Sequence, residues 1–368
     1  MRIALVVPGG VDASGEYRVI PVLLALIRRL ARVHDVRVFA LHQGTQPQQW
    51  ELLGAHVRNI GARQVRLRCI AAICAEHRVR AFDVIHAIWS GTPGLVAVAA
   101  ARLLGVPSMV HVAGGEITAL PAIAYGGCLT WKGRLREATV LRATRQVTAA
   151  SGQMIAALAA RGITARRVPL GVDLELWPPR QPVRRDVLTP ARLLHVASLN
   201  RVKDQATLLH ALAALSAAAI PYEMHVAGED TLGGEIQRLA QRLGIAGQLR
   251  FHGFLPQRAL RPLIEDSHVM MISSRHEAGP VVLREAAVAG VPTVGTAVGE
   301  IADWAPRAAR AVPVGDAEGL ARETAALLLD EEARLGVAAE AAVVATRENA
   351  DHTARSFEAL YESLTARA

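Results

Sequence analysis

Short β-branched apolar runs alternate with longer stretches of helically spaced apolar residues along the whole chain. In the first half, Ile3–Val7, Val36–Leu41, Val57–Ile60, Val84–Ala87, Ser108–Val112 and Gln146–Ala149 read as strands. Between them, Leu23, Leu26, Ile27 and Leu30, or Ile70, Ile73 and Cys74, mark the apolar faces of helices. The second half repeats the scheme with Leu193–Ala197, Glu223–Ala227, Leu249–His252, Val269–Ile272, Thr293–Gly295 and Ala311–Val314. Strands that are apolar on both faces and alternate with helices imply parallel sheets covered on both sides. The stretch from Leu170 to Leu193 holds four prolines and a charge cluster, so it reads as a linker. The predicted fold is therefore α/β, with two Rossmann-like domains facing each other across a cleft.

Composition sharpens this picture in a few places. A chain of 368 residues, half of them apolar, suits two domains without low-complexity tracts. No apolar run reaches the length of a membrane span; Gly94–Leu104 comes nearest and is interrupted by Arg102. The opening MRIALVVPGG suits a first buried strand better than a signal peptide, because its apolar part is short. Three cysteines (Cys69, Cys74, Cys128) form neither an even framework nor a metal-type pairing, and a reduced, cytoplasmic protein is expected.

Charge is unevenly distributed. Residues 1–180 hold 22 Lys/Arg against 10 Asp/Glu, a net of +12, and the remainder carries −4, which together make the overall +8. No aromatic-interleaved basic patch, zinc finger or RNP-like stretch accompanies the basic half, which argues against nucleic acid as a partner. A basic first domain suits an anionic membrane surface, reached peripherally, or an anionic acceptor; a solvated arginine-rich surface is the alternative. Of the 41 basic residues only Lys132 and Lys203 are lysines.

In doubly wound sheets ligands bind beyond the carboxyl ends of the strands. After the first strand comes PGGVDASGEY, where Gly10 would let backbone approach a phosphate or sugar, although the glycines do not fit G-x-G-x-x-G. Ser14 is a candidate cap for the next helix, and Pro21 makes that helix start late or kink. The strand at Ser108–Val112 ends in HVAGGE, which puts His111 and Glu116 at a carboxyl end. In SLNRVKDQATLL, Arg201 and Lys203 precede a helix and form a natural phosphate clamp, or a solvated loop. VAGEDTLGGE, with Gly228, and FHGFLP, with Phe254 and Leu255, could border a nucleotide base or be ordinary strand exits.

RHEAGPVVLREAAVAG places Glu277 in a loop after an apolar strand and Pro280 in the first turn of a helix that stops near Gly290. The helix N-terminus offers free amides to an anion such as a diphosphate. Glu285, about a turn and a half inside, could accept hydrogen bonds from a ribose diol. Glu277 could hold hydroxyls at the other end of the same extended ligand.

The stretch SSRHEAGPVVLREAAVAGVPTVGT resembles the E-x7-E signature of retaining family 4 glycosyltransferases with the GT-B fold. GVDLELWPP, SLNRVKDQATLLHA, HVAGED, RFHGFLP and PVGDAEGLARETAALL support the resemblance in the family's order. It implies an acceptor-binding domain over 1–170 and a nucleotide-sugar domain over 171–351, with a last helix, about 352–368, packing back on the first domain. It further implies transfer of a sugar from a UDP- or GDP-sugar to a hydroxyl of a glycan, a lipid-linked glycan or a small molecule. By this resemblance Glu277 and His111 are the catalytic-side residues. The donor would be held by Gly10, Arg201, Lys203, Gly228, Phe254, Leu255, Ala278, Gly279, Val281 and Glu285. The chain departs from the family in three places. Ala197-Ser198-Leu199 stands where an arginine is usual, with Arg201 as its substitute. Pro280 lacks an N–H, and the acceptor-side histidine aligns with Ala113 as well as with His111.

No D-x-D occurs, so neither a metal nor another cofactor is expected. Two further readings remain at this point. One is a catalytically silent sugar-nucleotide-binding module. The other is a retaining glycoside hydrolase built on the two glutamates. The missing glycine fingerprint argues against a nicotinamide enzyme.

Overall fold

The structure, a computed structural model, describes residues 1–186 and 188–366. The chain forms two compact units. The first comprises Met1–Asp173 and the chain from Ala350 onward, and the second spans Leu174–Asn349. Val187, inside the expected linker, and residues 367 and 368, in the expected last helix, lie outside the described residues.

The first unit holds β1 (Arg2–Val7), β2 (Asp35–Ala40), β3 (Gln48–Leu52), β4 (Ala55–Asn59), β5 (Val84–Ile88), β6 (Ser108–Val112), β7 (Gln146–Ala149) and β8 (Ala165–Arg167). They lie side by side in the order β3-β4-β2-β1-β5-β6-β7-β8. All are parallel except β3, which pairs antiparallel to β4 at the edge. All six residues of β1, RIALVV, are buried, because helices cover both faces of a central parallel strand. The second unit holds β9 (Ala191–Val196), β10 (Tyr222–Ala227), β11 (Leu249–Gly253), β12 (Val269–Ile272), β13 (Thr293–Thr296) and β14 (Arg310–Val312). Its parallel order is β11-β10-β9-β12-β13-β14.

Both sheets reverse winding direction beside their first strand, between β1 and β5 and between β9 and β12. At such a point neighbouring crossovers leave in opposite directions, so the loops at the carboxyl ends part and open a crevice.

The helix Ala350–Thr365 belongs to the first unit, where Phe357 and Tyr361 are fully buried. Thr353 anchors its start by accepting from the Gly171 amide at 2.9 Å and donating to the Pro169 carbonyl at 2.7 Å. The late start expected of the first helix is observed. It runs Pro21–Leu30 with proline in its first turn and no side-chain cap, and Ser14 instead accepts from Glu16 and Tyr17 in a turn upstream. No helix among the described residues is long and apolar enough to cross a membrane.

Candidate active site

The switch point of the second sheet is built from two loops. β9 ends at Val196 and leads through 197–204 into the helix Gln205–Ala217; β12 ends at Ile272 and leads through 273–280 into the helix Val281–Val288. Three contacts join the loops. The Arg275 amide donates to the Val202 carbonyl at 2.7 Å, Ser273 Oγ donates to the Lys203 carbonyl at 2.8 Å, and Arg275 Nε reaches Asp204 at 3.0 Å. Asp204 is buried in the left-handed region at φ 49° and also accepts from Thr207 at 2.9 Å.

This bracing brings Lys203 and Glu277 together. Lys203 Nζ lies 2.5 Å from Glu277 Oε1, which also accepts from Ser274 Oγ at 2.6 Å. Beneath them His195 is buried; its Nδ1 donates to the Met271 carbonyl at 2.8 Å and its Nε2 accepts from Gln205 at 3.1 Å. Burial pushes its pKa down to about 4, so the ring is a neutral prop that joins β9 to β12.

Behind the loop, the Val281–Val288 helix starts at an extended Pro280, and its first amides, at Val281 and Val282, have no acceptor within their own helix. Ala278 is buried and Gly279 half-buried ahead of that N-terminus. Gly299 passes so close that a Cβ there would sit 2.6 Å from the Glu277 carbonyl oxygen, and its φ is 53°. Glu285 sits on the helix at 3% exposure. Its carboxyl accepts from Gln257 Nε2 at 2.7 Å, while Gln257 Oε1 accepts from Trp177 Nε1 at 2.6 Å. The indole can only donate, so it turns the amide of Gln257 with its NH2 toward Glu285. No cation among the described residues offsets the burial, and the pKa of Glu285 is pushed up to about 7.

Other expected donor-side residues border the same loops. Gly228 lies against the first loop, where a Cβ would meet the Ala197 carbonyl oxygen at 1.9 Å; its amide donates to the Gly253 carbonyl at 2.8 Å. Phe254 is 55% exposed and Leu255 half-buried just beyond. Arg201 is turned elsewhere. Its guanidinium makes a two-pronged contact with Glu235 at 2.8 and 2.7 Å on the surface, so it is engaged by a carboxylate.

In the first unit Gly10 follows β1 at φ 80°, and a Cβ there would lie 2.5 Å from Ile20 Cγ1, so the turn requires glycine. His111, expected on the catalytic side, lies in the core of the first unit. Its ring is fully buried in β6, bonded to Thr148 Oγ1 at 2.9 Å and packed edge-on against Phe357, and burial pushes its pKa down to about 3. Its side of β6 faces the helix Ala350–Thr365. The loop after β6 is instead organised by Glu116, a buried carboxylate that accepts from the amides of Ser90, Ala113 and Gly114 at 3.1, 3.2 and 2.6 Å. At the carboxyl ends of the first sheet, His42, Gln64, Arg66, Leu67 and Thr92 line a cavity of about 450 Å³.

Ser274, Gln257, Trp177 and Gly299 were not singled out from the sequence. Ser274 had a signal, lying three residues before Glu277; the others reach the site only through the fold.

The family model for group 1 glycosyl transferases matches residues 182–343, and that for the glycosyl transferase 4-like domain matches 19–173. The chain belongs to the family 4-type glycosyltransferases. EpsF of Bacillus subtilis, named as a glycosyltransferase, is 29% identical over 235 residues, 58% of this chain and 57% of that protein. The chain thus spans little more than half the length of that relative. A Mycobacterium tuberculosis enzyme named as a GDP-mannose-dependent phosphatidylinositol dimannoside mannosyltransferase is 33% identical over 133 residues, 34% of each chain. Among solved structures, sucrose-phosphate synthase of Thermosynechococcus elongatus superposes over the full length of both chains with a TM-score of 0.85 at 18% identity. Anabaena HepE, solved with UDP and glucose, gives 0.74 at 16% over 99% of this chain and all of its own. At such identities the agreement concerns the fold, which is GT-B.

Proposed function

We propose that this glycosyltransferase is a retaining enzyme that binds a UDP- or GDP-sugar in its second unit and transfers the sugar to a hydroxyl acceptor such as a glycan, a lipid-linked glycan or a small molecule. The observation that carries the reading is the Lys203–Glu277 ion pair at the β9/β12 switch point, in front of the Val281–Val288 helix N-terminus. A nucleotide sugar offers an anion and hydroxyls at one end. It would split this pair, drawing Lys203 to the diphosphate and leaving Glu277 to accept from sugar hydroxyls. The helix amides add fixed dipoles toward the same anion. Glu285 would accept from the ribose, with Phe254 and Leu255 beside the base.

Departure of a nucleoside diphosphate then proceeds against preorganised positive charge, and charge stabilisation of this kind accelerates a leaving-group reaction. We read the site as metal-independent: the chain lacks D-x-D, and in this reading Lys203 meets the charge of the diphosphate. In the first unit the cavity lined by His42, Gln64 and Thr92 supplies polar arms suited to a hydroxyl acceptor.

A panel of UDP-, GDP- and ADP-sugars in thermal-shift measurements should show selective stabilisation, since a ligand that binds only the folded state raises its melting temperature. Turnover, read as nucleoside diphosphate release with retention of the donor's anomeric configuration, should fall by about 10²-fold or more in Lys203→Ala and in Glu277→Ala. Rates like wild type in both variants would refute the assignment. The capture of Arg201 by Glu235 favours a second reading, a binding module with a silent site. That reading predicts selective stabilisation without turnover on any acceptor.

A further inference from the structure

The helix Trp131–Ala143 in the first unit has a surface that the proposed reaction does not use. One side of it is core: Gly133, Glu137, Val140 and Leu141 are buried. The opposite stripe, at positions spaced four, three and four apart, is Trp131, Leu135, Ala138 and Arg142, flanked by Lys132 and Arg134. Trp131 is 63% exposed and Leu135 60%, an unusual outlay of large apolar surface on one turn of helix. The ammonium of Lys132 lies 5.7 Å from the centroid of the Trp131 ring.

Charge along this stretch of the chain has nearly one sign. Between Glu116 and Asp173 the sequence has eight cations and a single carboxylate, Glu137. That carboxylate is turned inward, where it accepts from Ser90 Oγ at 2.7 Å and pairs with Arg136 at 2.9 Å. Helix electrostatics do not account for the pattern. Lys132 stands in the first turn, at the positive pole, where a cation is disfavoured. At the C-terminal end of the helix, Arg142 and, just beyond it, Arg145 join Arg102 of a neighbouring helix around an open cavity of about 550 Å³ that also includes Ser108, Thr144 and Leu364. Leu103, next to Arg102, is 69% exposed.

We propose that this face docks on an anionic lipid bilayer, with Trp131 and Leu135 at the headgroup–acyl boundary and the arginine-lined cavity taking a lipid phosphate. A tryptophan beside basic residues is suited to the membrane interface, where one part of the ring is apolar and the other wet. The two exposed apolar side chains favour a bilayer over a polyanion, whose phosphates give Leu135 nothing to contact. The inference does not depend on which sugar or acceptor the enzyme uses.

The test is cosedimentation of the full chain with phosphatidylcholine vesicles with and without 30% phosphatidylglycerol, at about 0.1 M salt. Binding should require the anionic lipid and weaken as salt rises. A cation near such a surface is worth roughly fivefold in partitioning, so Lys132→Glu/Arg134→Glu should lose at least about 25-fold. Trp131→Ala/Leu135→Ala should lose at least about tenfold while leaving thermal unfolding unchanged, since both side chains are solvent-exposed. Arg307→Glu/Arg322→Glu, at exposed positions in the second unit, makes the same change in net charge and should lose less than threefold. Equal losses in the two charge-reversed variants would mean that binding follows net charge and would overturn the assignment. So would an absence of vesicle binding, or preferential capture by nucleic acid or an acidic protein that Trp131→Ala/Leu135→Ala leaves intact.

Discussion

Glu285 carries a stability cost that its surroundings make measurable. It is 3% exposed, has Gln257 as its hydrogen-bond donor and no cation among the described residues beside it, and burial raises its pKa from the usual 4.5 to about 7. Between those values the folded chain keeps a proton that the unfolded chain releases, so this group lowers stability as pH rises through the window. Below about pH 4.5 both states are protonated and the cost vanishes. Above pH 7 it is complete, and at 1.36 kcal/mol per pH step it amounts to roughly 3 kcal/mol.

Glu285→Gln keeps the shape and the acceptor for Gln257 but cannot ionise. It should unfold with a free energy up to about 3 kcal/mol higher than wild type at pH 8, about 1 kcal/mol higher at pH 5.5, and with no ionisation advantage at pH 4. The new amide brings N–H donors that need acceptors, which offsets part of the gain equally at every pH. The diagnostic is therefore the slope of the difference, read by urea denaturation across pH 4 to 8 with the transition of the second unit resolved. A difference that is flat with pH, or that grows toward acid, would refute the assignment of a buried, uncompensated carboxyl. Retention of such a group against its cost is the usual mark of a site kept for binding.

Three further outcomes are expected. Gln257→Leu removes the donor that lowers the Glu285 pKa, so the acid limb of nucleotide-sugar binding should move to higher pH, measured as affinity against pH; an unmoved limb would separate Gln257 from the carboxylate's titration. Arg284→Met leaves Glu300 and Glu348 without the buried guanidinium that contacts both, and should cost about 3–5 kcal/mol in denaturant unfolding, partly recovered by adding Glu300→Gln. Gly228→Ala drives a methyl against the Ala197 carbonyl and should cost about 1–3 kcal/mol and weaken donor binding; unchanged melting would show that the first loop gives way freely.

Several features of the fold could be read from periodicity because each is local. Buried parallel strands must be apolar on both faces, and this marks RIALVV and VMMI within a residue or so of β1 and β12. Strand β3 was not anticipated, since QQWEL is a polar edge strand held by β4 alone. Nor was the three-residue β8, whose ARR carries no apolar pattern. The pairing of β9 with β12 was also beyond local reading, because the two strands are 78 residues apart from one start to the other and their register is set by packing.

The candidate site divides along the same line. Residue types and their order placed Lys203, Glu277, Glu285 and Gly228 at strand ends and helix starts, because turn glycines, helix-starting prolines and apolar runs act over a few residues. Tertiary structure decided what each of them touches. It joined Lys203 to Glu277 and held Glu285 through Gln257 and Trp177. It gave Arg201 to Glu235, and turned His111 into the core under Phe357. A side chain's partner depends on which strands become neighbours and which face a ring points to, and no spacing along the chain carries that information.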